Sequence, residues 1–182
     1  GVDWVINNPP YDTRYDGIAY SPTLGTGLMG RLVILGRDFA TGAAVSSYSD
    51  DGGANWTEGG NAVGSNAFQR GIWSSEKELF IACTNNGIYS SATGISWDVS
   101  VSPPIGIVTD VVYRAGQFIV CGTSGILWSN TGISNSWNTV TTTNTGWWAI
   151  ASSPDLDKTI VLSRSGASPN KLKVLENNSP VY

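Results

Sequence analysis

The chain has 182 residues, enough to bury a core without disulfide or metal staples. Ten basic against 14 acidic side chains leave a net charge of −4 with no basic run, which excludes phosphate-tracking nucleic-acid binding. Histidine is absent, which removes the commonest general base and zinc ligand, and only 13% of residues are charged, so much of the surface must be neutral and polar. No apolar stretch is long enough to cross a bilayer, so a soluble chain without membrane insertion is expected.

In chain order, three kinds of short segment recur. A first strand is expected at "GIAYS" from Gly17, "GIWSS" from Gly71, "VVYRA" from Val111 and "AIASS" from Ala149. A more apolar second strand follows at "LVILG" from Leu32, "FIACT" from Phe80, "FIVCG" from Phe118 and "IVLSR" from Ile160. A third lies at "AVSSYS" from Ala44, "GIYSS" from Gly87, "GILWSN" from Gly125 and "KLKVL" from Lys171, and a segment around Trp4, Trp56, Trp97 and Trp137 supplies a fourth. Gly, Asn, Ser and Asp fill the gaps, and no long stretch keeps a 3.6-residue period, so the chain reads as all-β.

The tryptophans stand 52, 41 and 40 residues apart, and the excess of the first interval fits the glycine-rich connection 22–31. Four-stranded units at a period of about 40 residues predict a β-propeller, in which radial repetition leaves few exposed sheet edges. We expect a single domain over 1–182 with repeats at approximately 5–56, 57–97, 98–137 and 138–182 plus 1–8. In this arrangement the N-terminal strand around Trp4 completes the fourth blade. The alternative is four consecutive blades of a larger propeller.

Before Trp56 the chain reads Ser49-Asp50-Asp51-Gly52-Gly53-Ala54-Asn55-Trp56, which fits S-x-D-x-G-x-x-W. Decayed copies carry Ser90, Gly94 and Trp97, then Gly132 and Trp137. The motif resembles the Asp box of bacterial neuraminidase repeats, whose Asp and Gly build a tight turn and whose Trp packs over it. The stretch from Asp110 to Trp137, "DVVYRAGQFIVCGTSGILWSNTGISNSW", is similar to repeats of phage structural and tail proteins and of photosystem II assembly-factor-like propellers. In sialidases Asp boxes lie on the outer rim, so the resemblance implies architecture and leaves Ser49, Asp51, Gly53 and Trp56 structural.

Two residues before an aliphatic of strand one stand Asp16, Arg70, Asp110 and Trp148, flanked by Tyr15, Gln69, Thr109 and Trp147. Innermost strands would gather them at one mouth of the channel. Two readings compete: a salt-bridged plug, or a sugar-binding site using Trp147 and Trp148 beside Asp16, Arg70 and Asp110. A sialidase needs an arginine triad, and the six arginines occupy unlike places in the repeats. A glycosidase built on Asp16 and Asp110 is the remaining enzymatic alternative. Cys83 and Cys121, matched by Leu35 and Ser163 in the other units, read as buried free thiols. The resulting expectation is a non-enzymatic propeller of a phage particle, a tail, fibre or capsid-decoration domain. Its partners would be other virion proteins and a host surface glycan or receptor, with no cofactor and no metal. A lectin-like propeller is the alternative, and the location expected is the virion surface or otherwise extracellular.

Overall fold

The apolar runs Phe80 to Cys83 and Phe118 to Cys121 lack the alternation of a half-exposed strand, and the structure shows why: each lies inside a sheet that is covered on both faces, whereas in the run Leu32 to Leu35 only Val33 and Leu35 are fully buried. In the computed structural model, residues 7–9, 13–60, 67–101, 105–140, 145–153, 158–164 and 172–176 are described. Blade 1 comprises β1 (Thr13–Ser21), β2 (Arg31–Asp38), β3 (Ala44–Ser49) and β4 (Thr57–Glu58). Blade 2 comprises β5 (Phe68–Ser74), β6 (Leu79–Thr84), β7 (Ile88–Ser91) and β8 (Asp98–Val101), and blade 3 comprises β9 (Val108–Arg114), β10 (Gln117–Gly122), β11 (Gly125–Ser129) and β12 (Asn138–Val140). Blade 4 has three described strands, β13 (Trp147–Ser153), β14 (Lys158–Ser163) and β15 (Leu172–Glu176).

Every sheet is an antiparallel meander in chain order. The first strands of successive blades pack on one another, β1 on β5, β5 on β9 and β9 on β13, so the blades are arranged radially. The second and third strands fall where the sequence places them, and the long connection 22–30 follows β1 as expected. First strands begin several residues earlier than their apolar segments. Fourth strands start immediately after Trp56, Trp97 and Trp137, which therefore sit on the preceding turn and not within the strand. Trp4 and the closure of blade 4 by the N-terminal strand lie outside the described residues.

The core lies between blades. Val33 and Leu35 of blade 1 meet Phe68, Phe80 and Trp97 of blade 2. Ile81, Cys83 and Ile88 of blade 2 meet Val111, Phe118 and Val120 of blade 3, while Ile119, Cys121 and Ile126 meet Trp147, Ile150 and Val161 of blade 4. Both cysteines are free and buried, and burial holds the Cys121 thiol up at about 12, so neither is a ready thiolate. The register pairs both Cys83 with Arg70 and Cys121 with Asp110, and the matching blade 4 residue, opposite Ala149, is Leu162, not Ser163.

The turn before Trp56 is built as its motif requires. The Ser49 hydroxyl donates to Asp51 Oδ1 at 2.8 Å and accepts the Gly53 N–H at 2.8 Å. Asp51 also accepts the Asn55 main-chain N–H at 2.9 Å and the Asn55 amide at 2.7 Å. In the second copy the N–H of Gly94 goes to Ser91 at 2.7 Å, not to Ser90, because that turn is one residue shorter. In the third, Ser129 accepts from Gly132 at 2.8 Å. The serines opposite Leu32, Phe80 and Phe118 are Ser49, Ser91 and Ser129, which places all three at one register position.

Main-chain and side-chain N–H bonds from Asn55, with the Ser49 hydroxyl, lower the Asp51 carboxyl from 3.8 to about 2. A folded-state value below the unfolded one means that ionised Asp51 stabilises the fold above about pH 4, and that this contribution is lost as pH falls through about 2. Asp51→Asn is therefore expected to flatten the dependence of stability on pH over that window. Acid titrations of both proteins followed by tryptophan fluorescence check this, and superimposable acid limbs would refute it.

The turn glycine and tryptophan serve the neighbouring blade as well as their own turn. The Trp97 indole N–H donates to Ser46 Oγ of blade 1 at 3.1 Å, and that of Trp137 to Ser100 Oγ of blade 2 at 2.8 Å. A Cβ on Gly94 would lie 2.5 Å from Val33, and one on Gly132 2.8 Å from Ile81, in each case the preceding blade. Arg31 adds a further tie, holding Asp50 by two bonds of 2.7 Å and donating to the Thr93 carbonyl of blade 2 at 2.9 Å.

Candidate functional site

The innermost strand of every blade carries one β-bulge at its start. Pairing slips between Tyr15 and Gly17, between Phe68 and Arg70, between Val108 and Asp110, and between Trp147 and Ala149. The extra residues are Asp16, Gln69, Thr109 and Trp148. A bulge breaks the alternation of faces and re-aims side chains, so neighbouring residues can share one wall. The equivalent positions are thus Asp16, Gln69, Thr109 and Trp148, followed by Gly17, Arg70, Asp110 and Ala149. The ring of Asp16, Arg70, Asp110 and Trp148 drawn from the sequence mixes these two sets, because it counts forward to aliphatics that face opposite ways in different blades.

The bulges of blades 2, 3 and 4 frame a cleft of about 230 Å3 lined by Gln69, Arg70, Asn85, Ile107, Thr109, Asp110, Trp148 and Ala149. Three of the five residues expected at the mouth, Arg70, Asp110 and Trp148, meet there. Asp16 does not line it: its carboxylate pairs with Arg14 at 2.8 Å, and only its main-chain carbonyl joins in, accepting from Arg70. Trp147 is fully buried in the core between blades 3 and 4, so it is unavailable to a ligand. Asn85 and Ile107 come from turns and were not legible as site residues.

The charged groups do not close the mouth as a salt-bridged plug. Asp110 accepts the N–H of Val111 at 3.0 Å and of Ile150 at 3.1 Å, so its carboxylate spans blades 3 and 4. Burial pushes its carboxyl up, opposed by those two N–H bonds and by the nearby Arg70 guanidinium. Arg70 also donates to the Gln69 carbonyl at 3.0 Å, and the Gln69 amide donates to Asn85 at 2.9 Å. Trp148 is half exposed and forms a wall between this cleft and a second hollow, where Arg164 stacks on the ring 4.7 Å from its centre. Chemically the cleft offers one flat aromatic face, one guanidinium, one carboxylate and two amides. Among the described residues no cluster of His, Cys, Asp and Glu could hold a metal ion.

Four radial antiparallel blades whose inner strands converge on such a mouth define a β-propeller domain. Solved structures of similar fold agree. Over 93% of this chain and 24% of the other, the GH74 enzyme of Niastella koreensis matches with a TM-score of 0.65 at 19% identity. The computationally designed Ika4 protein matches over 97% and 99% with a TM-score of 0.67 at 9% identity, and YCF48 bound to D1 peptide over 92% and 50% with 0.61 at 15% identity. The chain thus spans a quarter of the GH74 enzyme and half of YCF48. No protein-family model matches the chain, and no curated protein sequence matches it.

Proposed function

We propose that this propeller is a non-enzymatic binding domain of a bacteriophage particle, a tail, fibre or capsid-decoration component, and that its mouth cleft holds a sugar unit of a host surface glycan. The observation that carries this reading is the convergence of Trp148, Arg70 and Asp110 in one cleft. A flat ring offers a face to the apolar side of a sugar, while a guanidinium and a carboxylate fix hydroxyl or carboxylate substituents. The cleft is smaller than the pockets that engulf a drug-sized ligand, which suits one unit of a longer glycan and an affinity gained through many copies on a particle. The phage setting rests on the likeness of the repeat pattern.

Support for a non-catalytic role comes from the carboxylates. Glycoside hydrolysis ordinarily uses two of them flanking the scissile bond, whereas among the described residues the cleft has Asp110 alone, already committed to two main-chain N–H groups, and Asp16 is held by Arg14.

The test is binding to a glycan array and titration of the strongest hit. Trp148→Ala and Arg70→Ala are each expected to weaken binding about tenfold, equivalent to about 1.4 kcal/mol, and Trp56→Ala to leave it unchanged. Absence of binding to every glycan, or hydrolysis of the bound one, would overturn the proposal.

A further inference from the structure

Blades 1 and 4 each present one apolar face that no described strand covers. With the bulges aligned, Ile18 of blade 1 corresponds to Val111 of blade 3, which is 6% exposed against blade 2, yet Ile18 is 61% exposed. Tyr20 on the same face is also exposed. On blade 4, Leu172 corresponds to Ile126 of blade 3, and their exposures are 53% and 0%. Ile160, Leu162 and Val174 share that blade 4 face and are exposed as well. These are the two faces that would meet if blade 4 packed on blade 1 as each blade packs on the next. β13 makes no approach to β1 comparable to that of β1 on β5, β5 on β9 or β9 on β13.

The turn residues of blade 1 also differ from those of blades 2 and 3. Trp97 and Trp137 reach the preceding blade through their indole N–H, and Gly94 and Gly132 abut it. Among the described residues Trp56 has no such bond and is only half buried, and a Cβ on Gly53 would meet only Trp56 and Leu32 of its own blade, at 3.6 and 3.7 Å. The blade 1 turn meets the N-terminal segment, the Asn7 amide donating to the Gly53 carbonyl at 2.7 Å as Ser100 of blade 2 donates to Gly132 of blade 3, but it lacks the tryptophan bond and the tight glycine contact of the other two turns.

We propose that a second copy of this chain covers both faces, blade 4 of each copy stacking on blade 1 of the other to close a two-fold ring of eight blades. This interface continues one the chain already makes three times, with the same strand positions and the same kind of aliphatic and aromatic side chains. It is head-to-tail, so it closes as a ring when the rotation permits. With a strand rise of about 3.3 Å and a spacing of about 4.8 Å, a face three or four strands wide and six residues long covers roughly 300–400 Å2. Two contacts, each burying two faces, come to roughly 1,200–1,600 Å2, the size of a stable interface. The proposal is independent of what the mouth cleft binds, since that cleft is built from blades 2 to 4.

Native mass spectrometry and light scattering of the chain test this. The wild type is expected at twice the chain mass, and Ile18→Lys and Leu162→Lys each at the single mass, with near-ultraviolet circular dichroism unchanged to show that the blades remain folded. A monomeric wild type, a different copy number, or a dimer indifferent to both substitutions would overturn the proposal.

Discussion

Trp97→Ala is expected to cost about 3–5 kcal/mol of unfolding free energy, the range for deleting a large buried aromatic side chain. Trp97 is 5% exposed, with its ring 5.1 Å from that of Phe68 and 6.2 Å from that of Phe80. It shares a cluster with Val33 and Leu35 of the preceding blade, and its loss leaves the Ser46 hydroxyl without the indole N–H. The same change at Trp56, half buried and without a bridge to another blade among the described residues, is expected to cost about 1 kcal/mol. Urea unfolding of the two variants decides this. Equal losses would mean that the turn tryptophans act within their own turns, as their motif alone suggests, and not as ties between blades.

Substituting Gly94 by alanine is the second large effect. Gly94 sits at φ 75°, which costs an L-residue about 1–2 kcal/mol, and its Cβ would lie 2.5 Å from Val33 and 3.2 Å from Phe80. Forcing a methyl into that contact adds about 1–3 kcal/mol, so a total loss of about 2–5 kcal/mol is expected. Gly53→Ala, at φ 91° but with its nearest neighbours beyond 3.5 Å, should show the backbone cost alone. A double variant with Val33→Ala makes the contact visible: the combined loss should be smaller than the sum of the single losses, because shortening Val33 makes room for the methyl. Strict additivity would show that Gly94 matters only for its backbone.

Most of the architecture was legible because it rests on local regularities. Second strands such as "FIACT" and "FIVCG" are apolar throughout because both of their faces are covered, and turn residues mark their ends as far as β14. The turn before Trp56 is a local feature as well, with Ser49 bonded to both Asp51 and Gly53. Ser90 was misassigned because two adjacent serines fit a spacing that shortens by one residue in the second copy. The mouth was harder to read. Strand alternation assigns Arg70 and Gln69 to opposite faces and makes Trp147 and Trp148 interchangeable, and only the bulge places Gln69 and Arg70 in one cleft while burying Trp147 and exposing Trp148.

By itself, then, the sequence determined a β-propeller domain of four repeats, because the repeat period, the turn residues and the apolar runs are short-range properties written along the chain. The tertiary structure decided which side chains share the mouth, which turn residues tie blades together, and which two faces are left open. Those outcomes depend on a one-residue slip in register and on contacts between residues 40 to 60 positions apart, such as Ser46 with Trp97 or Asp110 with Ile150. A change of one residue in register reverses the face of every side chain beyond it, and no local pattern records where that change occurs.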